Sequence, residues 1–352
     1  MNNNNNLNDQ CNGVSVGIGT TGNCNLNCEH CYSKPLRGNT LTYDEIISLI
    51  EGKNITSINY GTGENILNPD FMKVVTYCYE HNIKQSLTSN GYSIMAITEE
   101  QLRMFNDIDI SLEFTDESKQ NSFRHGDSWN FVDKSIEKCR KADVEFSIAT
   151  ALMNINYKQI PSLLQKVNKE GCNLRLNVFK KVPKAGITKF SLTYDEFWEA
   201  VKLLFEYGEL ISCSEPVVNA MLDIPPIVKK SPCGLSSIRI HPDGCVVPCV
   251  YWPGSDLLIK DLKESFAPCF DSEAFSTIRI IPEYCLDNCE KVDVCGGGCA
   301  ARRFLNGDIN IPDEYCPIYL KQEIPEIKVT HAKDRKDLVH SSYLCTFIFM
   351  GK

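Results

Sequence analysis

The fold of this 352-residue chain is decided by one stretch, Thr20-Thr21-Gly22-Asn23-Cys24-Asn25-Leu26-Asn27-Cys28-Glu29-His30-Cys31-Tyr32. Its cysteine triplet (Cys24, Cys28, Cys31) has C-x3-C-x2-C spacing, which suits three corners of a cubane iron–sulfur cluster. Cubanes used only for electron transfer normally have four cysteine ligands, so a triplet leaves one iron open. An open metal position is where chemistry occurs, as catalytic zinc shows by analogy. The simpler alternatives are a zinc site or three unrelated thiols.

The composition is that of a globular protein with one large core and a smaller module, with 43% hydrophobic and 23% charged residues. The net charge of −9 argues against nucleic acid as a partner, because phosphate binding needs a basic face. We find no membrane-length apolar run and no signal peptide, so we expect a cytoplasmic protein with no membrane partner. The 18 cysteines cluster at two places, which favours metal ligation in a reducing, anaerobic cytosol over disulfides.

The first half of the chain alternates short β-rich runs with helix-spaced apolar residues. The predicted strands are 14–19, 55–60, 85–88, 108–114, 144–152 and 174–179, and the predicted helices are 42–50, 70–81, 99–105, 129–141 and 157–169. Six βα repeats predict the α/β class and a parallel sheet curved into a partial (β/α)6 barrel. In such folds the active site lies at the carboxyl ends of the strands.

The remaining sequence predicts a division into five segments. They are a disordered N-terminus (1–13), the barrel (14–190), a bridging helix and linker (191–232), a cysteine-rich module (233–316) and a C-terminal tail without an assignable motif (317–352). The module is rich in Cys, Gly and Pro and has little regular periodicity, as expected when metal rather than a core holds it together.

The triplet and a second motif together resemble the radical S-adenosylmethionine (SAM) enzymes. The second motif is Gly61-Thr62-Gly63-Glu64, which directly follows the second predicted strand. It resembles the Gly-Gly-Glu motif that holds the methionine amino group of SAM, with Thr62 in place of the second glycine. The resemblance implies a [4Fe–4S] cluster on the triplet, whose open iron binds the amino and carboxylate groups of SAM.

The same resemblance assigns three further SAM contacts. Ser111, at the end of the fourth predicted strand, would contact the ribose, and the backbone of His30 would lie near the adenine. Arg124 would pair with the methionine carboxylate, a role that suits a guanidinium. Glu113 stands where many relatives carry aspartate. The run Thr88-Ser89-Asn90-Gly91 is a weaker candidate for the cavity, since Asn-Gly is also a turn signal.

The cysteine-rich module resembles the SPASM extension of these enzymes, which holds up to two auxiliary [4Fe–4S] clusters. Its cysteines follow Cys285-x3-Cys289-x5-Cys295-x3-Cys299, although C-x2-C is commoner for the first pair. The resemblance implies that one auxiliary cluster binds Cys285, Cys289, Cys295 and Cys316. The other would bind Cys233, Cys249 and Cys299.

The fourth ligand of the second auxiliary cluster is open. Relatives with full ligation have a cysteine shortly before the position of Cys233, where this chain has Ile227, Val228 and their neighbours. Cys245 and Cys213 are the available substitutes, or the iron stays open and binds substrate. The other cysteines are interpreted as structural or incidental: Cys11, Cys78, Cys139, Cys172, Cys269 and Cys345.

The resemblance implies reductive cleavage of SAM to methionine and a 5′-deoxyadenosyl radical, which takes a hydrogen atom from the substrate. An electron donor such as flavodoxin or ferredoxin is then needed. The leading hypothesis is modification of a ribosomally made peptide by crosslinking, thioether formation or epimerisation. Because the triplet begins at Cys24, we expect a separate protein to recognise the leader peptide.

The second hypothesis is a small-molecule dehydrogenase or epimerase acting on a sugar, an aminocyclitol or a tetrapyrrole side chain. An epimerase needs a hydrogen-atom donor, for which Cys213 is a speculative candidate. A non-catalytic iron–sulfur carrier is disfavoured, since its first cluster would lack a ligand for no reason.

Overall fold

Ten strands form one mixed sheet in the computed structural model, which describes residues 13–183, 186–226, 233–234, 236–333 and 345–352. The strands are β1 Val14–Ile18, β2 Ile55–Tyr60, β3 Lys84–Ser89, β4 Asp107–Ser111, β5 Phe146–Leu152, β6 Asn173–Val178, β7 Gly208–Cys213, β8 Ser237–Ile240, β9 Val246–Val247 and β10 Thr346–Gly351. Their order in the sheet is β7-β10-β6-β5-β4-β3-β2-β1-β8-β9. Disorder is predicted for residues 1–13, of which the structure describes only Gly13. Cys11 also lies outside the described residues.

The helices lie between and after these strands. They are α1 Tyr43–Ile50, α2 Phe71–Glu80, α3 Tyr92–Ala96, α4 Glu99–Leu102, α5 Glu117–Arg124, α6 Ser128–Lys141, α7 Ile160–Glu170, α8 Tyr194–Tyr207, α9 Pro216–Met221, α10 Ala267–Asp271, α11 Glu273–Ile278, α12 Glu283–Asn288, α13 Val292–Cys295, α14 Ala300–Leu305 and α15 Pro317–Leu320. Short 3-10 turns occupy Lys34–Leu36, Asn65–Leu67, Tyr157–Gln159 and Ile259–Leu262. Within the described ranges, no helix is both long and apolar enough to cross a membrane.

The predicted parallel core is confirmed, because β1 to β6 pair in chain order and every pair is parallel. The Thr42 cap predicted for the first helix is present, with a capping box formed with Glu45. The fourth strand is shorter than its predicted span. The backbone N–H groups of Glu113 and Phe114 donate to the side chain of Gln120 on α5 instead of to a neighbouring strand. A side-chain acceptor thus replaces the strand pairing from Glu113 onwards.

The sheet extends beyond the predicted barrel at both edges. Strand β8, from the cysteine-rich region, pairs in parallel with β1. Strand β10 lies between β6 and β7 and runs antiparallel to both, although the sequence predicts only a tail there. The edges at β7 and β9 do not pair with each other in the residues described, so the barrel is partial. The five-segment division of the chain stays a prediction, since strands from four of the predicted segments belong to this one sheet.

Candidate active site and auxiliary cysteine clusters

A cavity of about 180 Å³ lies where the parallel strands end, and the cysteine triplet and most of the predicted SAM contacts line it. From the predicted set these are Cys24, Cys28, Cys31, His30, Gly61, Gly63, Glu64, Ser111 and Arg124, together with Glu113 and the weaker candidates Thr88, Ser89 and Asn90. The carboxyl ends of parallel strands share one edge of the sheet, so residues distant in the sequence meet there. Thr62 lines an adjoining cavity instead.

The triplet lies in the loop between β1 and α1, and its sulfurs have polar neighbours. The sulfur of Cys24 accepts from the backbone N–H of Leu26 at 3.4 Å and from the side-chain amide of Asn90 at 3.5 Å. Burial raises the pKa of the Cys28 thiol to about 12, with Arg124 opposing the shift. A thiol of this kind releases its proton when a metal takes the proton's place. Donors aimed at sulfur are also what a thiolate-ligated cluster uses.

In the part of the chain that the structure describes, no three His, Cys, Asp or Glu side chains are arranged to hold a single metal ion.

Glu64 joins the motif after β2 to the loop after β3. Its carboxylate accepts from the Ser89 hydroxyl at 2.5 Å and from the backbone N–H groups of Asn90 and Ser93 at 3.0 and 2.8 Å. The backbone N–H of Glu64 donates to the carbonyl of Asn23, next to the triplet, at 2.8 Å. The carboxylate is therefore committed to holding two loops together, a task that the sequence did not indicate.

Gly63 brings the same motif against the triplet loop. Its φ is +66°, and a Cβ at this position would lie 2.2 Å from the carbonyl oxygen of Thr21. Only glycine combines this backbone conformation with so close an approach.

Thr62, which replaces a glycine of the family motif, holds Tyr32. The two hydroxyl groups lie 3.1 Å apart, and the Tyr32 hydroxyl also donates to the carbonyl of Gly61 at 3.4 Å. The ring of Tyr32 lies 5.2 Å from that of Tyr251, which belongs to the cysteine-rich region. The substitution thus connects the barrel motif with the second half of the chain.

Arg124 is paired within the protein, which the sequence did not predict. Its Nε and Nη2 atoms donate to the two carboxylate oxygens of Glu113 at 2.5 and 2.7 Å, and both residues are buried. The pair occupies one edge of the guanidinium and leaves Nη1 for a ligand. His30 Nε2 lies 3.5 Å from Glu113, and its ring stacks on Phe123. Burial, opposed by Glu113, lowers the pKa of His30 to about 4, so the imidazole is neutral at pH 7.

The four cysteines predicted for one auxiliary cluster are neighbours in the fold. Each interacts electrostatically with at least one other of the set, which is Cys285, Cys289, Cys295 and Cys316. The backbone N–H groups of Ile318 and Tyr319 bond to the sulfur of Cys316. In the Gly-Gly-Gly run, a Cβ on Gly298 would lie 2.3 Å from the Asp313 side chain. These features fit a thiolate-bound cluster.

The three cysteines predicted for the other auxiliary cluster also lie together, but neither substitute fourth ligand joins them. Cys249 hydrogen bonds to Cys233 and interacts with Cys299. Cys245 instead donates to the Ser255 carbonyl at 3.5 Å and accepts from the Ser255 backbone N–H at 3.4 Å. The Cys213 thiol is directed to the carbonyl of Glu215 at 3.9 Å.

Two single cysteines have surroundings that the sequence did not indicate. Cys213 is not among the residues that line the cavity of the triplet. Cys345, interpreted from the sequence as structural or incidental, hydrogen bonds to Cys299. The region of Ile227 and Val228 lies outside the described residues.

Arg302 is a structural residue of this region that sequence reasoning missed. It is 2% exposed and donates to Asp313 at 2.6 Å and to Glu215 at 2.8 Å. Asp313 also accepts from the backbone N–H of Cys299 at 2.8 Å. The ion pairs thus link α9 with the cysteine-rich region. The sequence signal that could have indicated this role is the pair Arg302-Arg303, which lies in an otherwise uncharged stretch.

A second, more apolar cavity of about 410 Å³ adjoins the first, and Tyr32 and Tyr251 line both. Its wall includes Leu36 from the barrel and Trp252 and Phe304 from the cysteine-rich region. A space of this size and lining suits an organic group the size of a few side chains.

Residues 18–167 match the sequence profile of the Radical SAM superfamily. Mycofactocin maturase MftC of Mycobacterium tuberculosis is 22% identical over 344 residues, which covers 89% of this chain and 87% of MftC. Two solved structures share the fold. Streptococcus suis SuiB bound to precursor peptide SuiA has a TM-score of 0.67 at 14% identity, covering 86% of this chain and 76% of SuiB. AnSMEcpe with bound AdoMet and Cp18Cys peptide has a TM-score of 0.66 at 18% identity, covering 87% and 94%.

The sequence match lies on the strands and loops that build the triplet cavity, and the structural likeness extends into the cysteine-rich region. Residues 18–167 therefore carry a radical SAM domain, and the cysteine-rich C-terminal region fits the SPASM type.

Proposed function

We propose that this radical SAM enzyme modifies a ribosomally made peptide, using SAM and three [4Fe–4S] clusters held by the triplet and the two auxiliary cysteine sets. SAM and one cluster follow from the family, whereas the two auxiliary clusters belong to the proposal. The observation that carries it is the pair of adjoining cavities, one polar and lined by the triplet, the other apolar and reaching the cysteine-rich region.

The polar cavity supplies a site for SAM. The cluster on the triplet, when bound, supplies the electron that cleaves SAM to the 5′-deoxyadenosyl radical. The carbonyl groups of Gly61 to Gly63 are available to the amino group of SAM, and Ser111 to its ribose. Arg124 offers Nη1 to the carboxylate while Glu113 holds the guanidinium in position. The backbone of His30 is proposed to lie near the adenine.

The apolar cavity is the proposed place of the residue to be modified. Tyr32 and Tyr251 line both cavities, so a side chain in the apolar cavity would lie next to the SAM site, and its binding would displace water. Its lining carries few charges, in keeping with a peptide side chain. Two fold relatives were solved with peptides, SuiB with its precursor SuiA and anSMEcpe with Cp18Cys, which supports a peptide for this chain as well.

A small-molecule substrate is the second candidate. The apolar cavity of about 410 Å³ lies within the range of small-ligand pockets, so its size accommodates a sugar or a similar molecule. The peptide is preferred because two fold relatives, SuiB and anSMEcpe, were solved with bound peptides.

The first test asks whether the enzyme makes the radical. Anaerobically reconstituted protein with SAM and dithionite should form 5′-deoxyadenosine, measured by liquid chromatography and mass spectrometry. Cys28→Ala should form none, while Cys78→Ala, which changes a cysteine buried in the core, should still form it. Absence of 5′-deoxyadenosine from the wild type would refute both substrate hypotheses.

The second test identifies the substrate class. Deuterated synthetic peptides encoded by short reading frames beside the gene should transfer deuterium into 5′-deoxyadenosine and change in mass. Transfer from a deuterated sugar, with none from any of the peptides, would overturn the peptide proposal.

A further inference from the structure

The C-terminal strand β10 delivers a cysteine to a buried group of thiols. Cys345 directly precedes Thr346, which pairs with Asn177 of β6 in antiparallel register. The residue is 5% exposed, and its side chain hydrogen bonds to that of Cys299. The pairing of β10 with β6 and β7 therefore determines where this thiol lies.

Four thiols form a continuous group at this place. Cys345 contacts Cys299, Cys299 interacts with Cys249, and Cys249 hydrogen bonds to Cys233. Three of them are the cysteines that the SPASM resemblance assigns to one auxiliary cluster. All are free thiols in the structure, so none is committed to a disulfide. The two substitutes for the vacant fourth position, Cys213 and Cys245, bond to Glu215 and Ser255 instead.

A buried cation next to three of these thiols indicates that an anionic group belongs there. Lys180 follows β6, is 2% exposed, and interacts with Cys299, Cys345 and Cys249. Its ammonium group donates to the Val178 carbonyl at a long 3.4 Å and lies 4.8 Å from the centre of the Tyr251 ring. A buried charge needs a partner of opposite sign, and a thiolate-bound cluster carries a negative charge.

We propose that Cys345 is the fourth cysteine ligand of the auxiliary cluster held by Cys233, Cys249 and Cys299. The inference rests on the proposed function in one respect, that this auxiliary cluster is present. With four cysteine ligands the cluster has no open iron, so it transfers electrons and does not bind the substrate directly. The C-terminal strand is then required for the metal centre as well as for the sheet.

The test compares iron and spectroscopic signals in reconstituted full-length proteins. Cys345→Ala should lose about a third of the iron or show a changed electron paramagnetic resonance spectrum from a cluster with three cysteine ligands. Cys299→Ala should behave in the same way, and the double variant should lose no more than either alone. Cys245→Ala and Cys213→Ala are the matched controls and should retain the wild-type iron content and spectrum.

Cys345→Ser is the second variant, used in case the alanine variant does not fold. Serine has nearly the same size as cysteine and offers an oxygen ligand. This variant should retain the fold by circular dichroism while its auxiliary-cluster spectrum or midpoint potential shifts. Wild-type iron content and spectrum in both Cys345 variants would overturn the inference, and so would a Cys299–Cys345 disulfide in the anaerobic holoenzyme. If the wild type itself binds only one cluster, the auxiliary clusters of the proposed function are refuted, and the assignment of Cys345 is not the cause.

Discussion

At the scale of single residues, Gly63 shows how much a motif depends on backbone alone. Its φ of +66° and the 2.2 Å that would separate an added Cβ from the Thr21 carbonyl oxygen both exclude a larger side chain. Gly171 has the same φ, but a Cβ there would meet no neighbour within 4 Å. The two glycines therefore separate the effect of backbone conformation from that of close contact.

We predict that Gly63→Ala destabilises the protein more than Gly171→Ala and lowers the iron content. Gly171→Ala should reduce the free energy of unfolding by about 1–2 kcal/mol, the penalty of the left-handed conformation. Gly63→Ala should cost more, because the new methyl group would also displace the backbone of Thr21 and Asn23. Asn23 directly precedes Cys24 of the triplet, so the iron content should fall. Urea unfolding and iron analysis measure both effects. Equal losses in the two variants would contradict the role of close contact.

Arg124 shows what a motif leaves out. Its position in the sequence predicts a cavity residue, and it is one. Its bidentate pair with Glu113 was not predicted, because the two residues are brought together only when α5 packs beside the end of β4. The pair determines which nitrogen is left for a ligand.

At the scale of elements, the apolar periodicity predicted the six parallel strands but not β10. The run Thr346-Phe347-Ile348-Phe349 is too short to distinguish a buried strand from a helix segment. Its environment decides the outcome, since both faces are covered. Phe349 packs edge-to-face on Phe205 of α8, with ring centres 5.1 Å apart. Ile348 packs in a cluster with Ile211 and Ala332.

We predict that Phe349→Ala lowers the free energy of unfolding by about 3–5 kcal/mol, the usual effect of removing a buried phenylalanine. Met350→Ala, on the same strand but 38% exposed, should change it by well under half of that. Urea unfolding of both variants measures the difference. If the two variants were equally stable, β10 would not be an integral strand of the sheet.

At the scale of the whole molecule, the bridging segment and the cysteine-rich region are joined by buried charge. Arg302 pairs with Glu215 and Asp313, which are both fully buried, and stacks on Tyr315 at 4.6 Å. The Tyr315 ring in turn stacks on Phe197 of α8, 4.0 Å away. Electrostatics and packing thus hold the region around Cys299 against the bridging segment.

We predict that Arg302→Met destabilises the protein by about 3–5 kcal/mol, because it leaves two buried carboxylates without a cation. Lys141→Met, which breaks an exposed ion pair with Glu137, should change the free energy of unfolding far less, because water screens the two charges. Urea unfolding compares the two. An Arg302→Met protein as stable as Lys141→Met would show that the buried ion pairs do not hold the regions together.

The sequence alone predicted the radical SAM resemblance, the α/β class and most of the residues that line the polar cavity, whereas the two auxiliary cysteine sets stay a prediction. These properties are local, since they follow from cysteine spacing, glycine turns and apolar periodicity. Only the tertiary structure decided how the carboxylate of Glu64 and the guanidinium of Arg124 are used, because their partners come from other loops. It also decided the place of Cys345. A thiol near the end of the chain reaches Cys299 only because β10 inserts between β6 and β7, and strand pairing across such a separation leaves no pattern in the sequence.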